Sequence, residues 1–163
     1  MSEFTDLLER FRRGPELLAV ATTGAAGPEL DFKPENKWSV RQIVCHLADA
    51  EAAAAMRLRQ IIAEDNPTLP AWDQNAWAEK LDYEKRKISQ ALELFRVLRQ
   101  SNFQVIKDLP ESAFARAGTH TTRGKMSLLD LTRLIAEHAE NHVKQIAGVR
   151  AAYKEHRARS VVR

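Results

Sequence analysis

The sequence predicts an all-α protein, an up-down four-helix bundle, on three observations. Apolar residues recur at three- and four-residue spacing through four long segments, and capping or chain-breaking residues bound each segment. No stretch shows a convincing strand-like alternation of apolar and polar residues. The 163 residues suit a single domain, 1–163, large enough to bury a core, with its chemistry expected within roughly 37–150.

The first helix is expected from a Ser2 N-cap to about Thr23, where Gly24 stops it, with Pro15 after Gly14 bending or splitting it. A Gly/Pro-rich loop, G-A-A-G-P-E-L-D-F-K-P-E-N-K, leads to Ser39. Ser39 and Gln42 read as a capping box with Trp38 as a hydrophobic staple. The second helix then carries Val40, Ile43, Leu47, Ala50, Ala54, Leu58 and Ile61 on one stripe as far as about Glu64. N-P-T-L-P ends it, and A-W-D-Q-N-A-W-A fits one or two further turns. The third helix is expected from near Asp82 to just before Pro110, turning Ile88, Ala91, Leu92, Phe95, Leu98, Phe103, Val105 and Ile106 inward. The loop Pro110–Lys125 is long for a tight connector and suggests a functional edge. Ser127 with Asp130 caps the fourth helix, whose stripe is Leu128, Leu131, Ile135, His138, His142, Ile146 and Val149.

With 44% hydrophobic and 29% charged residues, the composition is that of a soluble globular protein. No run approaches the ~18 apolar residues of a membrane span. Acids at Glu3 and Asp6 stand where a signal peptide would be basic, so a cytoplasmic location is expected. The net charge of +3 is mild. The basic tail K-E-H-R-A-R-S-V-V-R, with His156, reads as a solvated, frayed terminus, and no motif indicates nucleic acid. Cys45 is the only cysteine, so no internal disulfide can form, and it reads as a small core residue.

The chemistry lies in the histidines. His138 and His142, in A-E-H-A-E-N-H-V-K-Q-I, are one helical turn apart on the inward stripe, with Cβ atoms about 5–6 Å from each other. His46, in S-V-R-Q-I-V-C-H-L-A-D-A-E, flanks the inward stripe of the second helix. Burying three imidazoles without a shared partner is costly, whereas one divalent ion satisfies all three and keeps positions open. Imidazole alone suits zinc, nickel, copper or iron. Such a site should lose affinity below about pH 6.5, the ordinary histidine pKa. Asp49, Glu51, Glu137 and Glu140 are candidates to orient the rings, although helix acids more often face water. His120, in T-H-T-T-R-G-K, is expected on a surface loop, with approach to an open metal site as the alternative. Trp38, Trp72 and Trp77 read as packing anchors, the latter two also as walls of a pocket mouth.

Four blocks carry a family resemblance: K-W-S-V-R-Q-I-V-C-H-L-A-D-A-E at 37–51, D-Q-N-A-W-A at 73–78, L-F-R-V-L-R-Q at 94–100, and R-G-K-M-S-L-L-D-L-T-R-L-I-A-E-H-A-E-N-H-V-K-Q-I at 123–146. The chain resembles the DinB-like superfamily, which includes the YfiT-type group described as metal-dependent hydrolases. The resemblance implies an up-down bundle holding nickel, zinc or a similar divalent ion on His46, His138 and His142. It further implies a homodimer, with the large apolar residues near Trp72 and Trp77 as a sticky surface. Some branches transfer groups to a low-molecular-weight thiol, namely bacillithiol, mycothiol or glutathione. Ala139 stands where members often carry an acid or asparagine after the first histidine of the pair, so a family-like orienting acid is absent there.

Three functions follow. The first is a metal-dependent enzyme, of thiol-transferase or hydrolase type, in which an open-coordinated ion activates a water or a thiol on a small substrate. The second is a non-catalytic, stress-related metal-binding bundle, and the third a bundle whose histidines pack without metal.

Overall fold

The computed structural model of the chain describes residues 2–161, and 70% of it is helical. Four helical columns form the bundle: α1 (Glu3–Arg12) with α2 (Gly14–Thr22), then α4 (Val40–Ala63), α6 (Ile88–Ile106) and α7 (Leu128–Val161). Short helices α3 (Pro28–Asp31) and α5 (Gln74–Lys80) lie in the connections. The fold class is therefore the one expected, and its neighbour order is distinctive. The α1/α2 column packs on α6 and α7, and α4 packs on the same two, so consecutive columns α1/α2 and α4 sit across the diagonal. The long connections 23–39 and 107–127 make those diagonal crossings possible.

Local chemistry explains the boundaries. Ser2 accepts from the Thr5 backbone N–H and starts α1, while Pro15 at the head of α2 follows the break at Arg13. At Ser39 the complete capping box is formed: the Gln42 N–H donates to Ser39 Oγ, and the Ser39 N–H donates to Gln42 Oε1. The third long helix begins at Ile88, six residues later than the expected Asp82. Asp82 adopts φ 51°, a left-handed conformation that ends α5 with the Tyr83 N–H donating to the Ala78 carbonyl, and extended Lys87 opens α6.

Three short strands, not expected from the sequence, form one small sheet: β1 (Thr68–Leu69) runs parallel to β2 (Ala117–His120), which pairs antiparallel with β3 (Gly124–Ser127). At 2–4 residues they are too short to show a period-2 pattern. Gly118 is required here, since a Cβ would lie 2.8 Å from the Pro67 carbonyl oxygen. Arg116, just before β2, donates to the Ile61 and Glu64 carbonyls and so closes the end of α4. The sheet thus lies where α4 ends and α7 begins, and β3 runs straight into the Ser127–Asp130 cap of α7.

Along α7 the tail is exposed, as expected, but helical through Val161 rather than frayed, and the Phe32 ring packs 5.5 Å from Tyr153 and 5.2 Å from His156. Val162 and Arg163 lie outside the described residues. No helix among the described residues is long and apolar enough to cross a membrane.

The core holds one large polar feature. Arg99 of α6, 1% exposed, makes a two-pronged pair with Glu51 of α4 at 2.9 and 2.8 Å. It also donates to the Phe11 carbonyl of α1 and to the Ile135 carbonyl of α7, and it lies over the Phe11 and Phe95 rings. Asn102 donates to the same carboxylate at 2.8 Å. A Cβ at Gly14 would collide with this guanidinium, so the kink between α1 and α2 also makes room for Arg99.

Candidate metal centre

His46 lies in the second turn of α4, which its capping box locks in place, and it faces His138 and His142 in the middle of α7. The three ring edges converge. His46 Nε2 lies 3.0 Å from His138 Nε2, and His142 Nε2 lies 3.1 Å from the same atom. All three histidines can present a ligand nitrogen within 4.8 Å of one another. Two nitrogens bonded to one ion at about 2.0–2.1 Å stand about 3–3.4 Å apart, so both of the short spacings, each at His138, fit a shared cation.

The proton arrangement agrees. His142 Nδ1 is 2.7 Å from Gln145 Oε1, and a carbonyl oxygen there assigns the proton to Nδ1 and leaves Nε2 as a bare lone pair. His138 Nε2 meets this lone pair and the Nε2 of His46 with at most one proton to offer. Without a cation, at least one short contact opposes lone pairs or shares that single proton. A divalent ion bonds all three, which is the fit that this donor set makes. His46 is held mainly by packing: the Trp38 and Trp72 rings lie 5.1 and 5.6 Å from its own, and its buried Nδ1 has no hydrogen-bond partner.

Burial keeps all three rings neutral. Desolvation, then the charges of His138 and His142, lower the His46 pKa to about 3. Desolvation, followed by His142, Arg99 and Arg123, lowers that of His138 to about 4. Desolvation also lowers His142, against an opposing pull from the Gln145 bond. The expected loss of affinity below about pH 6.5 is therefore corrected. Protons compete for the His46 and His138 nitrogens in the folded chain at lower pH than that, because the cavity penalises the imidazolium.

Beside the rings is a cavity of about 310 Å³. Ala50 and Ala54, on the same face of α4 as His46, leave the space, and Leu131 and Ile135 of α7 form its apolar side. Trp72, His120, Thr122 and Arg123 close it from the connections, and Arg57 from α4.

None of the four acids considered as orienting groups takes that role. Asp49 accepts from Tyr83 Oη and from Arg86, both at 2.7 Å, and Glu51 is engaged by Arg99 and Asn102. Glu140 pairs with Arg10 at 2.9 and 2.8 Å, and Glu137 is exposed. Gln145 is the orienting residue that the sequence reading missed, although its position three residues after His142 put it on the same helix face. His120 is not on an exposed loop. It sits in β2, 6% exposed, on the cavity wall. Cys45 is buried, with its thiol pushed up in pKa by burial and its Sγ 3.8 Å from the Tyr83 carbonyl, a core residue as expected. Trp72 and Trp77 stack at 4.5 Å, and Trp72 walls the cavity.

The profile of the DinB superfamily matches residues 10–146. The chain belongs to the DinB superfamily. Two relatives are each named "putative metal-dependent hydrolase". The one from Geobacillus kaustophilus is 30% identical over 150 residues, covering 91% of this chain and 84% of the relative. The one from Oceanobacillus iheyensis is 31% identical over 112 residues, covering 69% of this chain. That match spans 64% of the Oceanobacillus protein, a little under two thirds of its length. The DinB-type fold is shared with a solved structure, YfiT from Bacillus subtilis, described as a probable metal-dependent hydrolase with an unusual four-helix bundle topology. It superposes with a TM-score of 0.87 at 23% identity, over 94% of this chain and 90% of that one.

Proposed function

We propose that the protein is a divalent-metal-dependent enzyme of hydrolase or thiol-transferase type, with nickel or zinc held by His46, His138 and His142. The observation that carries this reading is the convergence of three neutral imidazole nitrogens on the edge of a substrate-sized cavity. The names of the relatives support its metal dependence. An ion held there would supply Lewis acidity, making a nucleophile available at neutral pH.

The chain's own residues do the rest. Gln145 fixes the tautomer of His142, and the Trp38–His46–Trp72 stack fixes the ring of His46. Leu131 and Ile135 keep water from one side of the cavity, which strengthens every polar contact made within it. The buried, inward-packed Cys45 offers no competing nucleophile, so a thiol in the reaction would come from a small co-substrate.

Elemental analysis of the purified protein, followed by a screen of ester and amide hydrolysis and of thiol transfer to electrophiles, tests the reading. One equivalent of metal is expected in the native protein. The His138→Ala, His142→Ala double variant should lose most of it and the activity with it, whereas His156→Ala should lose neither. Full metal stoichiometry in the double variant would contradict the site. Metal loss with activity retained would keep the metal site and give its ion a non-catalytic role.

A further inference from the structure

The cavity wall beyond the histidines is cationic and unpaired. On α4, His46, Ala50, Ala54 and Arg57 follow one another on one face, so a trough over two alanines joins the histidine cluster to a guanidinium. Arg57 and His46 are separated by about 16 Å of helix rise, and the lean of helical side chains toward the N terminus brings the Arg57 head back toward the histidines. Arg57 is half-buried, and its hydrogen bond is to the Pro70 carbonyl. Arg123, in the turn between β2 and β3, lines the same cavity. Among the described residues neither guanidinium has a carboxylate within ion-pair distance. The acid on the lining is Glu51, and both its oxygens are engaged by Arg99 and Asn102.

His120 supplies a third donor. Its Nδ1 lies 3.2 Å from the Thr122 backbone nitrogen, whose N–H can only donate, so Nδ1 is an acceptor and the proton sits on Nε2. The positive charges also act on their neighbours: burial and then the Arg123 charge lower the pKa of Arg57, and burial followed by Arg57 and Arg123 lowers that of His120. Arg57, half-buried, and Arg123, exposed at the turn, are like charges with no carboxylate partner among the described residues, and an anion entering between them relieves their repulsion.

We propose that this wall is an anion subsite, in which Arg57, Arg123 and the Nε2–H of His120 receive the carboxylate or phosphate of a small substrate whose reacting end lies at His46, His138 and His142. The planar donor forks suit either group. At about 310 Å³ the cavity is at the small end of ligand sites, which favours a metabolite-sized anion over a polymer. The inference rests on the metal-site reading for the position of the reacting end, and on Arg57, Arg123 and His120, independently of that reading, for the anion.

Calorimetric titration with inorganic phosphate and with malonate, at low ionic strength, tests it on metal-loaded protein and on protein stripped by a chelator. At least one anion should bind both forms, and the one preferred identifies the group. Arg57→Gln with Arg123→Gln should weaken that binding at least tenfold while metal content stays full. Arg123→Gln alone, at an exposed turn position, should weaken it several-fold without any folding effect. Arg12→Gln, whose guanidinium is held by Glu9 and Glu16, should leave it unchanged. Binding unaltered in the double arginine variant, or absent from both wild-type forms, overturns the proposal. A protein that holds no metal yet binds the anion through these arginines would overturn the metal reading and keep this one.

Discussion

Gln145 decides which nitrogen of His142 faces the site, because its carbonyl oxygen, 2.7 Å away, keeps the proton on Nδ1. Gln145→Ala should therefore lower metal affinity by roughly 10–100-fold, the usual effect of losing an orienting partner, while His142 stays in place. Competition against a chelator of known affinity measures it, and an unchanged affinity would show that the ring needs no such partner. The depressed histidine pKa values have their own consequence in metal-free protein. His46 and His138, at about 3 and about 4 in the folded chain, ordinarily titrate near 6.5. Between those values the unfolded chain binds protons that the folded chain does not, so stability is full above about pH 6.5 and falls as pH drops toward about 4. The melting midpoint of the metal-free form should decline from pH 7 to pH 5, and a flat midpoint would mean that the imidazoles are not desolvated. At this scale the cluster of His46, His138 and His142 was legible, because an i, i+4 pair on an apolar stripe and a histidine beside another stripe are local patterns. His120 was not, since its burial depends on β1 and β3, whose residues are remote from it or too few to show a period.

Between elements, the Arg99–Glu51 pair is the main polar tie, touching α1, α4, α6 and α7 through one guanidinium. Arg99→Met should destabilise the protein by about 3–5 kcal/mol, because Glu51 is left charged in a dry core. Denaturant titration measures this, and pairing the change with Glu51→Leu should recover much of the loss. Retention of stability in the single variant would show that water reaches the carboxylate. This pair also marks where periodicity misled. The stripe of α6 was read from Phe95, Leu98, Phe103 and Val105, whereas Arg99 and Asn102 are buried and Leu98, Phe103 and Val105 only partly so. An arginine on a helix reads as solvated until its partner is known, and this partner is 48 residues away in sequence. The sheet makes a second test. Gly118→Ala would press on Pro67 and Leu69, an overpacking expected to cost about 1–3 kcal/mol and to loosen the cavity wall, with thermal unfolding as the measurement.

The whole bundle was legible from its caps and stripes: Ser2, Ser39 with Gln42, and Ser127 with Asp130 all start helices as expected. Neighbour order was not, because every column offers an apolar face and nothing local states which column it meets. Homodimerisation remains a proposal, and its site needs relocating. Trp72 and Trp77 pack on each other and Trp72 on His46, while the exposed large apolar groups include Val20, Met56, and Leu94 with Val97 on α6. Light scattering at tens of micromolar should report twice the chain mass, and a monomer there removes the idea. The division of labour in the fold also bears on descent. The three histidines stand on long, capped helices, whereas Trp72, His120, Thr122 and Arg123 come from the connections 64–87 and 107–127. Connections accept insertions and exchanges that a packed helix does not. A lineage carrying this fold is free to vary the cavity wall, segment by segment, without disturbing the three-histidine cluster, and grafting the 66–74 and 117–126 segments between relatives is the natural way to transplant the lining.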